Sequence, residues 1–113
     1  SVKGIFFGGQ YSPSNNDNAL TNVIDQLIIA SNGDATDFGD LTFSVNNGKL
    51  IPMYGMPSAT RVVMPGGYTF SSNNVNTIEY IEIATTGNSI DFGTLATSGR
   101  GGSGAFSNGH GGL

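Results

Sequence analysis

Residues 22–41, NVIDQLIIASNGDATDFGDL, recur as residues 76–95, NTIEYIEIATTGNSIDFGTL. The two segments align without a gap at an offset of 54, and nine of their twenty positions carry the same residue. Self-similarity at a fixed period is the signature of repeat architectures, and this density of identities is far above chance. The chain is therefore a tandem repeat, and its fold has to follow from one unit and its copy.

The repeat extends beyond these two segments. KGIFFGG at 3–9 aligns with RVVMPGG at 61–67 at an offset of 58, so the loop after the glycine pair is longer in the first copy. SNGHGGL at 107–113 aligns with residues 58–64 at an offset of 49. We therefore describe residues 1–113 as a single β domain with two repeats, about 1–57 and 58–106, and a C-terminal partial repeat, 107–113.

Each unit has the pattern of four short strands separated by turn-forming residues. The predicted strands of the two copies are about 4–9 and 62–68, 23–30 and 77–84, 36–42 and 90–96, and 49–56 and 103–106. No segment carries apolar residues at the helical period over three turns. The sequence predicts an all-β fold built from two four-stranded antiparallel repeat units.

Composition excludes several classes of protein. Charged residues make up 11% of the chain, the net charge is −4, and the four Lys and Arg residues are scattered rather than clustered as nucleic-acid binding requires. No apolar run approaches the roughly 20 residues of a membrane span, so we expect no membrane insertion. Zero cysteines exclude disulfides and thiolate chemistry. The chain begins with Ser1, and the sequence does not decide whether this is the natural N-terminus.

The order of features within a unit resembles the kelch-type blade of a β-propeller. An apolar strand ends in Gly-Gly, an aromatic residue follows (Tyr11 or Tyr68), and an acidic-flanked second strand comes next. Phe38 and Phe92 stand where the kelch blade usually has Trp. Propellers contain about 4–8 blades, so two are too few to close a ring. The resemblance implies a homo-oligomer closed by several copies, with a trimer favoured.

Over nearly the whole chain, the repeats resemble those of tailed-phage structural proteins. The most specific matches are DFGDL at 37–41, IATTGN at 83–88 and the terminal SNGHGGL at 107–113. This resemblance implies localisation in the virion, as a tail, tail-fibre or capsid-decoration protein that assembles with other virion proteins. It also implies that Leu113 lies close to the natural end of the chain.

Candidate catalytic groups are few. His110 is the single histidine and lies in a glycine-rich segment near the C-terminus, where a hydrogen-bonding or exposed role is expected. The sequence offers no matched pair of acids, so a propeller hydrolase is the weakest of the hypotheses. We expect no enzymatic activity.

Three aspartates at a spacing of three, Asp34, Asp37 and Asp40, suggest a calcium site. The second copy keeps one of the three carboxylates, at Asp91, and we therefore expect neither a metal nor another cofactor. A repeated structural turn is the better interpretation, with Asp37 and Asp91 accepting backbone hydrogen bonds near Gly39 and Gly93.

Other charged residues recur at equivalent positions. Asp25 and Glu79 are equivalent, which favours a structural contact with backbone N–H groups over acid–base chemistry. Lys3, Arg61 and His110 are also equivalent, and a repeated base facing a repeated acid predicts pairing between units.

Two loops rich in Asn, Ser, Gly and Tyr have the adaptable polar chemistry of recognition surfaces. They support a rival function, a host-receptor or carbohydrate-binding module of the virion that contacts a host surface glycan. The candidate residues are Tyr11, Asn15, Asn16, Asn18, Tyr68, Asn73 and Asn74. We favour solvated loops over a glycan site.

Overall fold

A computed structural model describes residues 2–11, 19–42, 55–69, 73–97, 99 and 106 of the chain. All regular structure within these ranges is β, which confirms the predicted all-β class. None of the described residues forms a helix of the length and apolarity that a bilayer crossing requires.

Eleven strands occur in the described ranges. In chain order they are β1 (Lys3–Phe7), β2 (Gln10–Tyr11), β3 (Ala19–Leu20), β4 (Val23–Ile28), β5 (Thr36–Asp40), β6 (Met56–Pro57), β7 (Arg61–Pro65), β8 (Tyr68–Thr69), β9 (Asn73–Asn74), β10 (Thr77–Glu82) and β11 (Ile90–Thr94). The first sheet has the order β1-β4-β5, and the second has the order β11-β10-β7-β6. β2 pairs with β3, and β8 pairs with β9, as two small ribbons. Every pairing is antiparallel.

The two halves of the chain share their local structure in five pairs of equivalent strands, and β6 has no described counterpart. β1 and β7 are related by the offset of 58, whereas β4 and β5 are related to β10 and β11 by the offset of 54. Equivalent backbone bonds have equal lengths: the N–H of Leu41 donates to the oxygen of Asn22 at 2.7 Å, and that of Leu95 to Asn76 at 2.7 Å. The duplication in the sequence is thus a duplication of hydrogen-bonding pattern.

A β-bulge occurs at the same place in both units. On β4, Ile24 and Asp25 are adjacent, but they pair with Gly39 and Asp37, so Phe38 is the extra residue on β5. In the second unit Phe92 takes this position on β11. Because a bulge redirects the strand and its side chain, the recurring Asp-Phe-Gly sequence sets the direction of a phenylalanine.

The glycine pairs end the first strand of each unit. Gly8 and Gly9 have φ of 65° and 114°, and Gly66 and Gly67 repeat these angles at 66° and 120°. Side-chain-bearing residues rarely adopt this region, whereas glycine does so at little steric cost. The pairs therefore turn the chain from the main sheet into the small two-stranded ribbon.

The predicted fourth strand is assigned to the wrong unit. Of the strand predicted at about 49–56 in the first repeat, residues 55 and 56 are described, and Met56 in β6 pairs with Val63 in β7 of the second sheet. The predicted repeat boundary between residues 57 and 58 therefore cuts a hairpin, since hydrogen-bond partners and not linear order decide which sheet a strand joins. Of the strand predicted at 103–106, only Phe106 is described, and it lies outside any strand.

The hydrophobic core lies between the two main sheets. Its buried members are Ile24, Phe38, Leu41, Val62, Met64 and Ile81. Ile5, Phe7 and Ile83 are partly buried against this cluster. The first three of the buried residues come from the first unit and the others from the second, so the core belongs to the contact between the units.

We expect Gly39→Ala to lower the free energy of unfolding more than Gly93→Ala does. Both glycines have positive φ, 157° and 153°, so alanine is strained at either site by about 1–3 kcal/mol. A Cβ on Gly39 would also collide with the Gly87 carbonyl, whereas a Cβ on Gly93 would have nothing within 4 Å. Urea denaturation of the two variants measures the difference, and equal losses would contradict the close contact at Gly39.

Candidate functional site: the stacked faces of the two sheets

Each main sheet has two faces, which the strand register defines, since residues paired across antiparallel strands point to the same side. We call the front face of the first sheet the side with Lys3, Ile5, Phe7, Ile24 and Gln26. The equivalent front face of the second sheet bears Arg61, Val63, Pro65, Ile78 and Tyr80. The back faces bear Gly4, Phe6, Asp25 and Leu27 in the first sheet, and Val62, Met64, Glu79 and Ile81 in the second.

The front face of the first sheet packs on the back face of the second. Ile24 and Phe38 are 0% and 3% exposed, and Met64 and Ile81 opposite them are 0% and 1% exposed. The sheets are therefore stacked in one direction, front on back, and not as a symmetrical pair of like faces.

Backbone hydrogen bonds connect the two units along one edge of this contact. The N–H groups of Gly87 and Ser89 donate to the oxygens of Phe38 and Asp40, each at 2.8 Å. The N–H of Asp40 donates in return to Oδ1 of Asn88 at 2.9 Å. The turn before β11 thus lies along the outer edge of β5, and the close approach requires a glycine at Gly39.

Glu79 is a buried acid at the centre of the contact. It is fully buried, and its Oε1 accepts the Ser89 hydroxyl at 2.7 Å and the Thr42 N–H at 2.8 Å. A buried carboxylate is tolerated where hydrogen bonds replace its hydration. The bond from Thr42 confirms the predicted contact between this repeated acid and a backbone N–H, and it joins the two units.

The expected acid–base pairing between units is wrong for Arg61. Its Nε lies 2.6 Å from Oε1 of Glu82, which is its register partner on the neighbouring strand of the same sheet. Strand pairing within the second sheet already places these two residues side by side, so their ion pair does not involve the first unit. Lys3 does reach the other unit, but its Nζ donates to the carbonyl of Ile83 at 3.1 Å. His110 lies outside the described residues.

The predicted structural turn is confirmed at Asp91. Its Oδ1 accepts the N–H of Gly93 at 3.1 Å. Asp37, the equivalent residue, is exposed on β5 and pairs in register with Asp25. No cluster of three or more His, Asp or Glu residues within the described ranges could hold a metal ion.

The predicted recognition residues fall partly on the small ribbons. Tyr68 and Asn74 are cross-strand partners on β8 and β9, and Asn73 is paired with Thr69. Asn74 is exposed and Tyr68 is half-buried. Tyr11 lies on β2, whereas Asn15, Asn16 and Asn18 lie outside the described residues.

A pocket of about 300 Å³ lies at the end of β4, beside the turn that precedes β5. Its lining includes one carboxylate, from Asp34, and one amine, from Lys3. This pair does not form the matched acids of a hydrolytic site, and the other polar groups of the lining are amides and hydroxyls. The stacked faces are the better candidate for function.

Two faces remain open in the described structure, and sequence reasoning did not single them out. On the front of the second sheet, Phe92 is 55% exposed and packs edge to face on Tyr80, with ring centroids 5.8 Å apart. On the back of the first sheet, Phe6 is 56% exposed, and Ile29 at the end of β4 is 60% exposed. The signal was present in the repeat, because Phe92 is the copy of buried Phe38.

No known family model, curated protein or solved structure matches this chain.

We expect Glu79→Ala to lower the free energy of unfolding by about 2 kcal/mol, because it leaves the buried Ser89 hydroxyl and the partly buried Thr42 N–H without their acceptor. Glu82→Ala is the matched control, since its ion pair with Arg61 is about 40% exposed and contributes about 0–1 kcal/mol. Glu79→Gln keeps an acceptor oxygen and should lose less than the alanine variant. Equal effects of Glu79→Ala and Glu82→Ala in chemical denaturation would contradict the linking role.

Proposed function

We propose that this chain is a non-enzymatic structural component of a phage virion, a tail, tail-fibre or capsid-decoration protein that acts through protein–protein assembly. The observation that carries the proposal is the one-directional stacking of two equivalent sheets, which buries one front face and leaves another exposed. The assignment to a virion is supported by the resemblance of the repeats to tailed-phage structural proteins. Blades of a propeller stack in the same front-on-back manner, so the geometry is compatible with kelch-like units.

The use of the charged residues supports a structural role over catalysis. Glu79, the fully buried acid, is engaged by Ser89 and Thr42 at the contact between units. Arg61 is engaged by Glu82, and its guanidinium lies 4.7 Å from the centre of the Tyr80 ring. Glu79 links the two units, and Arg61 and Glu82 link adjacent strands of the second sheet.

Mass spectrometry of purified particles tests the virion assignment. If the phage that encodes the chain is banded on a density gradient, peptides of this chain should co-purify with the particles at a fixed ratio to the major structural proteins. A tail-less capsid preparation serves as the control that separates tail from capsid placement. Absence of the chain from washed particles would overturn the proposal.

The alternative function is a host-receptor or carbohydrate-binding module of the virion. It is supported by the ribbon of β8 and β9, where an aromatic residue, Tyr68, lies opposite exposed Asn74. Aromatic and amide side chains side by side are typical of adaptable recognition surfaces.

A glycan array separates the alternative from the main proposal. If the ribbon binds a host glycan, the array signal should fall about tenfold in Asn74→Ala, because a polar contact to a ligand is removed. Thr85→Ala, at an exposed turn outside the ribbon, should leave any signal unchanged. No glycan signal for the unmodified protein would contradict the binding-module function.

A further inference from the structure

The geometry points to a head-to-tail contact in which the open front face of the second sheet binds the open back face of the first sheet of another copy of this chain. The inference deepens the proposed function, since it names the partner and the surface through which assembly occurs. The contact between the two units within the chain supplies a template for the contact between chains.

The side chains of the two open faces match those of the buried contact. The buried front face of the first sheet and the open front face of the second carry equivalent residues. The open face has Arg61, Val63, Ile78 and Phe92 at the positions of Lys3, Ile5, Ile24 and Phe38. The basic residue stays basic and these apolar residues stay apolar, whereas Glu82 is the copy of Ile28 on the same face. An aromatic residue, Tyr80, replaces Gln26 and enlarges the apolar area of the open face.

The open back face carries the matching half. Met64, Glu79, Ile81 and Ile83 of the buried contact correspond on the open face to Phe6, Asp25, Leu27 and Ile29. These apolar residues again correspond to apolar residues, and the acid corresponds to an acid. Two positions differ: Gly4 is the copy of buried Val62, and Ala35 is the copy of Ser89, which donates to Glu79. Most side chains of each half of the contact are therefore present a second time, one half on each outer side.

Equivalent residues on the two sheets differ in exposure, and the difference marks the surface that a further copy would cover. Phe38 is 3% exposed and Phe92 is 55% exposed, although both occupy the same bulge. Ile81 is 1% exposed, whereas its copy Leu27 is half-buried. The second unit covers Phe38, and no described residue does the same for Phe92.

Backbone groups at the edge are equally complementary. Phe38 and Asp40 accept the N–H groups of Gly87 and Ser89, so the equivalent carbonyls of Phe92 and Thr94 can accept those of Gly33 and Ala35 in another copy. β11 is the edge strand of its sheet, so that side pairs with no other described strand.

Two further details fit the same partner. Gly93 has nearly the same φ as its equivalent Gly39, and the space that Gly87 fills beside Gly39 is open beside Gly93. Gly33, the equivalent of Gly87, also has nearly the same φ as Gly87, so it can take the same place in another copy. Asp34 occupies the position of Asn88 and retains an oxygen that can accept the N–H of Thr94, as Oδ1 of Asn88 accepts that of Asp40.

A second copy fits better than an unrelated protein, because each open face already has its counterpart on the chain itself. Such a contact is heterologous: it uses two different surfaces, and it produces a ring if the rotation closes and a filament if it does not. The predicted trimer is one closed form of this arrangement.

A complementation experiment tests the inference. Phe92→Asp places a charge on the open front face of the second sheet and leaves the open back face of the first sheet unchanged. Phe6→Asp places a charge on that back face and leaves the front face unchanged. We expect the unmodified 113-residue chain to self-associate in light scattering at several concentrations, and each variant alone to raise the Kd of association about tenfold or more. An equimolar mixture should form a 1:1 dimer that grows no further, because one intact front face then meets one intact back face.

Several results would overturn the inference: an unmodified chain that stays monomeric at every concentration, a variant that still assembles, or a mixture that forms no dimer. Phe106→Asp is the matched control, because Phe106 is 90% exposed and lies in neither sheet. Equal loss of association in this control would also overturn the assignment. Ile90→Asp and Ile29→Asp, at exposed positions of the second and first sheets, replace either variant whose thermal unfolding shows a folding defect.

The outcome is independent of the virion assignment. If the chain is absent from phage particles but the two variants form the 1:1 dimer, the head-to-tail contact stands and the proposed virion function is overturned. If the chain is present in particles but the two variants form no dimer, the proposed virion function stands and the head-to-tail contact is overturned.

Discussion

The packing of one sheet on the next is the interaction on which the rest of the described structure depends. A single antiparallel sheet of three or four short strands cannot bury both of its faces, and its apolar side chains are stabilised only when another layer covers them. Here Ile24 and Phe38 of the first sheet meet Met64 and Ile81 of the second, and all four are almost completely removed from water. Full burial of a side chain of this kind contributes about 1.5–3 kcal/mol relative to its exposed state.

Polar groups at the contact fix its direction and register. Apolar burial is non-directional and would tolerate other arrangements of the sheets. The carbonyls of Phe38 and Asp40 and the buried carboxylate of Glu79 accept specific donors, so a shift of one residue would leave these groups unsatisfied. Gly39 permits the backbones to come close enough for those bonds to form. The apolar core supplies the stabilisation, whereas the edge bonds and the buried acid select one stacking geometry.

A repeat whose copies have the same local structure still has unequal ends. The first unit contributes its front face and the second its back face, which leaves one surface of each kind open among the residues that the structure describes. Equivalent residues thereby acquire different environments, as Phe38 and Phe92 illustrate. This asymmetry is general for one-directional stacks, and it links the fold of a single unit to assembly with further units.

Much of the local structure could be predicted from the sequence. The β class, the positions of the first three predicted strands of each unit, the duplicated glycine pairs and the bond between Asp91 and Gly93 follow from short-range rules, since turn residues and strand patterns act over a few neighbours. The assignment of β6 to the second sheet and the pairing of Arg61 with Glu82 could not be predicted, because both depend on which strands lie side by side. The exposed faces were missed for the same reason, although the equivalence of Phe92 and Phe38 was visible.

The sequence by itself determined that the chain is a duplicated β structure with repeated turn-forming residues in each unit, because those features depend on residues close together along the chain. Tertiary structure alone decided that the first front face is buried and the second is open, that Glu79 joins the units, and that Lys3 reaches a carbonyl of the other unit. The physical reason is that burial is a property of a surface and of what covers it. Two copies of the same residue pattern therefore differ wherever only one of them has a neighbour.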